Sequence, residues 1–139
     1  VCIVDSIALD PEIETVLTSG APSAAPSEIV TYTISVTNVG LGQAANVVVD
    51  GLVPLFADLG LDSYGSGVAF NFVENTSMLA IATEDFSVDG GSNFGYLPVS
   101  GSGGAAVGFE GLVTDFRIST FGIMPPGGSF TIEYKVQVH

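Results

Sequence analysis

The segment SFTIEYKVQV, residues 129–138, alternates without a lapse: Phe130, Ile132, Tyr134, Val136 and Val138 share one parity, Thr131, Glu133, Lys135 and Gln137 the other. Side chains of an extended chain project to opposite faces in turn, whereas a helix gathers positions three and four apart. This pattern therefore predicts a strand with one dry and one wetted face. The stretch IVTYTISVT at residues 29–37 repeats it, with Val30, Tyr32, Ile34 and Val36 pointing one way and Thr31, Thr33, Ser35 and Thr37 the other. A half-dry strand needs a second apolar layer to face. Two such strands among many turn formers confine the chain to layered antiparallel sheets.

The remaining segments fit that plan. VCIVDSIAL, residues 1–9, sets Val1, Ile3, Ile7 and Leu9 on one face with Asp5 as the intruder, and Asp10-Pro11 ends it. Residues 12–18 read as a short strand, and 19–27 as a loop of Gly, Pro, Ser and Ala. In residues 44–50, Ala45, Val47 and Val49 are expected on the core face. Residues 51–60 read as an irregular apolar turn around Pro54, and 52–62 is the one place for a helical turn. Short runs broken by Gly and Ser fill 65–110. Residues 112–120 alternate again, with Leu112, Thr114, Phe116 and Ile118 on one face, and Pro125-Pro-Gly-Gly is a tight turn. About eight to ten short strands in one domain, residues 1–139, predict an all-β antiparallel sandwich.

Charge excludes several functions. The net charge is −13 and only Arg117 and Lys135 are cationic. Nothing here neutralises phosphates, so no nucleic-acid partner is expected, and no basic cluster favours anionic lipid. No apolar run approaches the ~20 residues of a membrane-crossing helix, so no integral membrane segment is expected. The first residue, Val rather than Met, fits a processed, exported chain.

Catalytic chemistry finds little to use. The only Cys is Cys2 and the only His is His139, a terminal position expected to fray. They supply neither a triad nor a zinc site, and no intrachain disulfide is available. The carboxylate pairs Glu84–Asp85 and Asp58–Asp62 lack the exposed Trp that usually lines a sugar cleft, since the chain has no Trp. Gly101-Ser-Gly-Gly lacks the Lys of a phosphate loop. The chain is therefore expected not to be an enzyme and to need no cofactor. Calcium is the one metal its hard oxygens suit, with Glu84, Asp85 and Asp89 before Gly90-Gly-Ser-Asn93 as candidate ligands. Asn75-Thr-Ser77 is a sequon on which a glycan would sit at Asn75.

One stretch resembles a known family. VTYTISVTNVGLGQAANVVVDGLVP is similar to the "conserved repeat" domain of unknown function in bacterial and archaeal cell-surface proteins. That family shows Tyr-x-Ile-x-Val-x-Asn-x-Gly followed by Ala-x-Asn-Val-x-Val-x-Asp and a Pro. Tyr32, Ile34, Val36, Asn38 and Gly40 match the first part; Ala45, Val47, Val49, Asp50 and Pro54 match the second, with a stretched Asp-to-Pro spacing. The closing GIMPPGGSFTIEYKVQV is similar to the family's last turn and strand. The likeness covers residues 27–54 and 122–138. It implies an immunoglobulin-like sandwich displayed at the cell surface as stalk, layer or filament material, without catalysis. In that setting Asn38 and Gly40, both tolerant of left-handed backbone, are expected to turn the strand back as a hairpin.

Two roles follow for such a domain. Residues 1–9 either form the first strand of their own sandwich or insert into a neighbouring copy, with Val1, Ile3, Ile7 and Leu9 filling its pockets and building a homopolymer. The alternative is an adhesin-type module for carbohydrate or a host surface, with Tyr64, Phe94 and Tyr96 as the candidate aromatic platform.

Overall fold

The two alternating segments pair with each other. In the computed structural model, which describes residues 10–20 and 24–139, β2 (Ile29–Asn38) and β11 (Ser129–Val138) run antiparallel with Val36 opposite Phe130 and Tyr32 opposite Tyr134. Their dry faces coincide because directly opposed residues in a ladder project to the same side. The segment 1–9, with Val1, Ile3, Ile7 and Leu9, lies outside the described residues.

The other strands are β1 (Ile13–Ser19), β3 (Ala44–Ala45), β4 (Val48–Leu52), β5 (Ala57–Gly60), β6 (Phe70–Val73), β7 (Ala80–Ser87), β8 (Phe109–Glu110), β9 (Asp115–Phe121) and β10 (Ile123–Met124). One layer has the order β1-β2-β11-β5-β8. On the far side of β11, β6 takes the first half of the strand and β5 the second. The other layer is β4-β9-β7, and the short ladder β3-β10 closes one end. Every named pairing is antiparallel, so the chain is an all-β antiparallel sandwich.

Aromatic rings join the layers. Phe116 of β9 lies 4.8 Å from the Tyr134 ring and 4.7 Å from Phe70, in tilted and edge-on contacts. Such geometry places ring edges against ring faces and adds to the burial itself. Around it Val36, Leu59, Ile118, Met124, Phe130 and Ile132 are withdrawn from water entirely.

Four expectations are corrected. No α-helix occurs within residues 52–62; Ala57–Gly60 is a strand buried along its whole length, because β11 and β8 flank it. Ala45 is exposed and Ala44 buried, because Asn46 at φ 51° breaks the alternation before Val47 and Val49 resume it. Leu112 is exposed and Val113 is buried, since β9 begins only at Asp115; Phe116, Ile118 and Thr120 carry its core face.

The fourth concerns Asn38 and Gly40. They do not make a hairpin: β2 pairs with β1 and β11, and the chain after Gly40 crosses to the opposite layer through β3 and β4. Neither residue has a positive φ. Asn38 is fully buried and its amide ties the crossing together, donating to Gly42 O at 2.8 Å and Met124 O at 3.3 Å, while Oδ1 accepts from Gly40 N at 3.1 Å and Glu12 N at 3.3 Å. Gly40 is required for close approach, because a Cβ there would collide with the backbone of Asp10, Pro11 and Glu12.

Candidate functional site

The two layers differ in width, and the difference leaves one strand half-dressed. In β1, Ile13, Thr15 and Leu17 stand opposite Asn38, Val36 and Ile34, all buried residues of β2. They therefore point toward the space between the sheets. Nevertheless Ile13 is 40% exposed and Leu17 58% exposed. Among the described residues the opposing layer ends at β4, with no strand beyond it to cover them. Between β1 and the free edge of β4 runs a groove of about 300 Å³, lined by Thr15, Leu17, Ile34, Val49, Gly51 and Tyr134 among others. On the outer face of β4, Val48 and Leu52 are 52% and 68% exposed.

The floor and far wall of the groove are fixed. The Tyr134 hydroxyl donates to Leu52 O at 3.1 Å, and burial, with nearby Tyr32 adding, pushes the phenol up to about 12. It stays a neutral donor at any physiological pH. Gly51 permits Phe116 to lie directly over the backbone of β4; a Cβ would sit within its ring. On the outside, Arg117 Nε and Nη2 reach Asp50 Oδ1 and Oδ2 at 2.7 and 3.0 Å, a bidentate pair clamping β4 to β9. That hydrogen bonding holds the Asp50 carboxyl below its ordinary range. The guanidinium also stacks 4.1 Å from the Phe94 ring. The other cation, Lys135, sits over Tyr64 at 5.4 Å.

The start of the described chain is equally fixed. Glu12 O accepts from Val39 N at 2.8 Å, and Asp10 O accepts from Leu41 N and Gly42 N, each at 3.1 Å. Residues 10–12 thus continue the line of β1 past the last residue of β2, over Gly40, toward the crossover end of the sandwich.

The other sequence candidates scatter. Tyr32 is partly buried, its ring stacked 5.5 Å from Tyr134, and Ile34 and Val36 are core. Pro54 opens the turn into β5, its carbonyl accepting from Ala57 N at 3.2 Å. Asn75 is exposed in the β6–β7 turn at φ 48°, while the sequon's Ser77 is buried, donating to Glu74 O and accepting from Leu79 N. Tyr64, Phe94 and Tyr96 form no shared platform: Tyr64 lies by Lys135 on the wider layer, Phe94 under Arg117 on the narrower, and Tyr96 donates to Glu110 at 3.0 Å.

Asp89 is committed to its own loop, accepting from Ser87 Oγ, Asn93 N and Asn93 Nδ2, which lowers it to about 2. Glu84 is pushed up by burial, and Asp62 accepts from Gly67 N at 2.6 Å. Among the described residues no three metal-ligating side chains converge. No helix among them is long and apolar enough to cross a membrane.

Two carboxylates are buried, Glu110, which the sequence reading passed over, and Asp58, which it had paired only with Asp62. Glu110 is fully buried and accepts from Tyr96 Oη, Val99 N and Leu112 N, anchoring the long β7–β8 connection. Asp58 is buried beside His139, whose Nε2 lies 2.9 Å from Oδ1, out of line for a hydrogen bond. Burial pushes Asp58 up, with His139 opposing and Glu110 reinforcing the shift. His139 is not frayed: its amide donates to Phe56 O at 2.8 Å. The chain matches no family model, no curated protein and no solved structure.

Proposed function

We propose that the protein is a structural subunit that assembles outside the cell into a filament or layer by β-strand complementation, residues 1–9 of one copy filling the groove of another. The observation that carries this reading is the inward row Ile13–Thr15–Leu17, which no described strand covers beside the edge of β4. A strand hydrogen-bonded to that edge would widen the narrow layer and cover the row at once.

The proposed donor has the right dimensions. Nine extended residues span about 30 Å at ~3.3 Å each, enough to run the length of β1. Val1, Ile3, Ile7 and Leu9 alternate as groove fillers. At ~1.5–3 kcal/mol for each fully buried side chain, four of them contribute about 6–12 kcal/mol, which together with main-chain hydrogen bonds along the β4 edge offsets the ~1–2 kcal/mol per residue that ordering the strand costs. Contacts of this kind are heterologous and propagate without closing. The likeness to surface repeats, with its immunoglobulin-like arrangement and cell-surface setting, supports the same reading, as does an exterior in which both cations are already paired.

Electron microscopy of the full chain and of a variant lacking residues 1–9 tests it. Fibres or sheets are expected from the full chain and none from the variant. A full chain that stays a monodisperse monomer at high concentration and high salt would contradict the proposal.

A further inference from the structure

Given the strand-complementation reading, on which this inference rests, the groove also constrains which way an inserted strand runs and how it registers. We infer that the donor strand comes from a second copy, lies parallel to β1 and β4, and seats Asp5 opposite Thr15.

Direction follows from where the chain leaves the domain. Both β1 and β4 run away from the crossover end: Ile13 stands beside Asn38, and Val48 follows β3, whose partner Met124 touches Asn38. Residues 10–12 prolong β1 backward past that same end, held by Val39, Leu41 and Gly42. To fill its own groove, the chain would have to reverse at once. Asp10-Pro11, the natural breaker, is already held extended against Gly40. VCIVDSIAL contains no Gly, Pro or Asn, and its turn formers Asp5-Ser6 lie mid-segment, where a reversal would leave only Val1–Val4 to return to the groove. Continued straight, it meets the far end of a copy stacked above, between Leu17 and Leu52. Val1 then leads and lies deepest, just past Ile13 at the crossover end near Val48, while Leu9 stays at the mouth beyond Leu17. The strand therefore runs N to C in the same sense as its two neighbours.

Register follows from matching polarity. The inward row of β1 reads apolar, hydroxyl, apolar at Ile13, Thr15 and Leu17. The donor row reads apolar, carboxylate, apolar, with Asp5 between Val1 and Ile3 on one side and Ile7 and Leu9 on the other. A carboxylate closed into the groove requires a donor, and Thr15 is the hydroxyl in that row. Any shift by two residues would set Asp5 against Ile13 or Leu17.

The even-numbered donor residues then face outward with Val48 and Leu52, which makes the native Cys2 a reporter. Full-length Val48→Cys and Leu52→Cys are assembled, treated with a short bis-maleimide and run on denaturing gels. Parallel insertion from a second copy predicts a ladder of linked multimers from V48C and little from L52C. A link from L52C, within or between chains, overturns the parallel direction, and a within-chain link returns the segment to its own domain while leaving the groove as its seat. If neither variant links while Cys2 remains reactive, the strand does not occupy the groove and the proposed function fails with it. Register is read separately by sedimentation of the polymer. Thr15→Val is expected to weaken assembly at least tenfold and Asp5→Val with Thr15→Val to restore it; equal weakening by the single and double variants overturns the pairing.

Discussion

Asn38 shows how much one side chain carries in this fold. It connects β2, the crossover, the β10–β11 turn and the chain before β1 through its single amide. Replacing it with Ala strands buried carbonyls and amides, each costing ~1–3 kcal/mol. Asn38→Ala is expected to lower stability by about 3 kcal/mol in urea denaturation, and Asn38→Asp by at least as much, since the charge replaces a donor. Its importance was visible in the sequence, but its job was not. The family resemblance and the backbone tolerance of Asn and Gly pointed to a turn, whereas close packing of residues 10–12 on Gly40 decides the local path.

The carboxylates behave in two ways on titration. Asp50 and Asp89 have folded-state values below the usual 3.8. Their stabilisation is present above that value and is lost as pH falls through the folded value, about 2 for Asp89. Asp58 has the opposite sign: its ionised form disfavours the fold, so its cost is absent below 3.8 and grows as pH rises through the raised folded value. Denaturation between pH 2 and 7 is expected to show Asp58→Asn gaining on the parent as pH rises. Asp89→Asn is expected to fall behind the parent as pH rises from about 2 through 3.8, and to match it at the acid end.

At the scale of elements, β2 and β11 were legible because each offers a long alternating run, and alternation is the direct image of a two-faced strand. β5 was not. Ala57-Asp-Leu-Gly has no alternation to read, because strands on both edges and cover on both sides bury all of it. The parity errors at Ala45 and Leu112 arise where the backbone bends, at Asn46 and just before Asp115. Local sequence does not announce a bend that tertiary packing imposes.

The groove illustrates the same limit more sharply. β1 was recognisable as a strand, yet its exposed inward row depends on the width of a layer built from residues 48–52, 80–87 and 115–121. Two substitutions test the element. Gly51→Ala places a methyl group in the Phe116 ring and is expected to destabilise the monomer by ~1–3 kcal/mol through overpacking. Leu17→Asp should leave the monomer nearly unchanged in thermal melts, because Leu17 is already wet, and abolish sedimentable polymer. An equal loss of monomer stability would place Leu17 in the core instead.

For the whole molecule, the sandwich followed from alternation and turn composition, while the unequal layers became evident only with the strands in place. A chain of charge −13 repels its own copies, and the two cations are occupied within the domain. Assembly by apolar strand insertion is thus expected to accelerate as ionic strength rises, measured by light scattering between low and physiological salt. Slower assembly in salt would indicate attractive charge contacts between copies.

The most direct test is amide hydrogen exchange on assembled full-length protein beside the variant lacking residues 1–9. The account predicts that outward-facing amides of β4 are protected in the full chain and exchange freely in the variant, while β9 and β11 remain protected in both. If β4 exchanges freely in both proteins, no strand occupies that edge, and the reading of this fold as an incomplete sandwich is wrong.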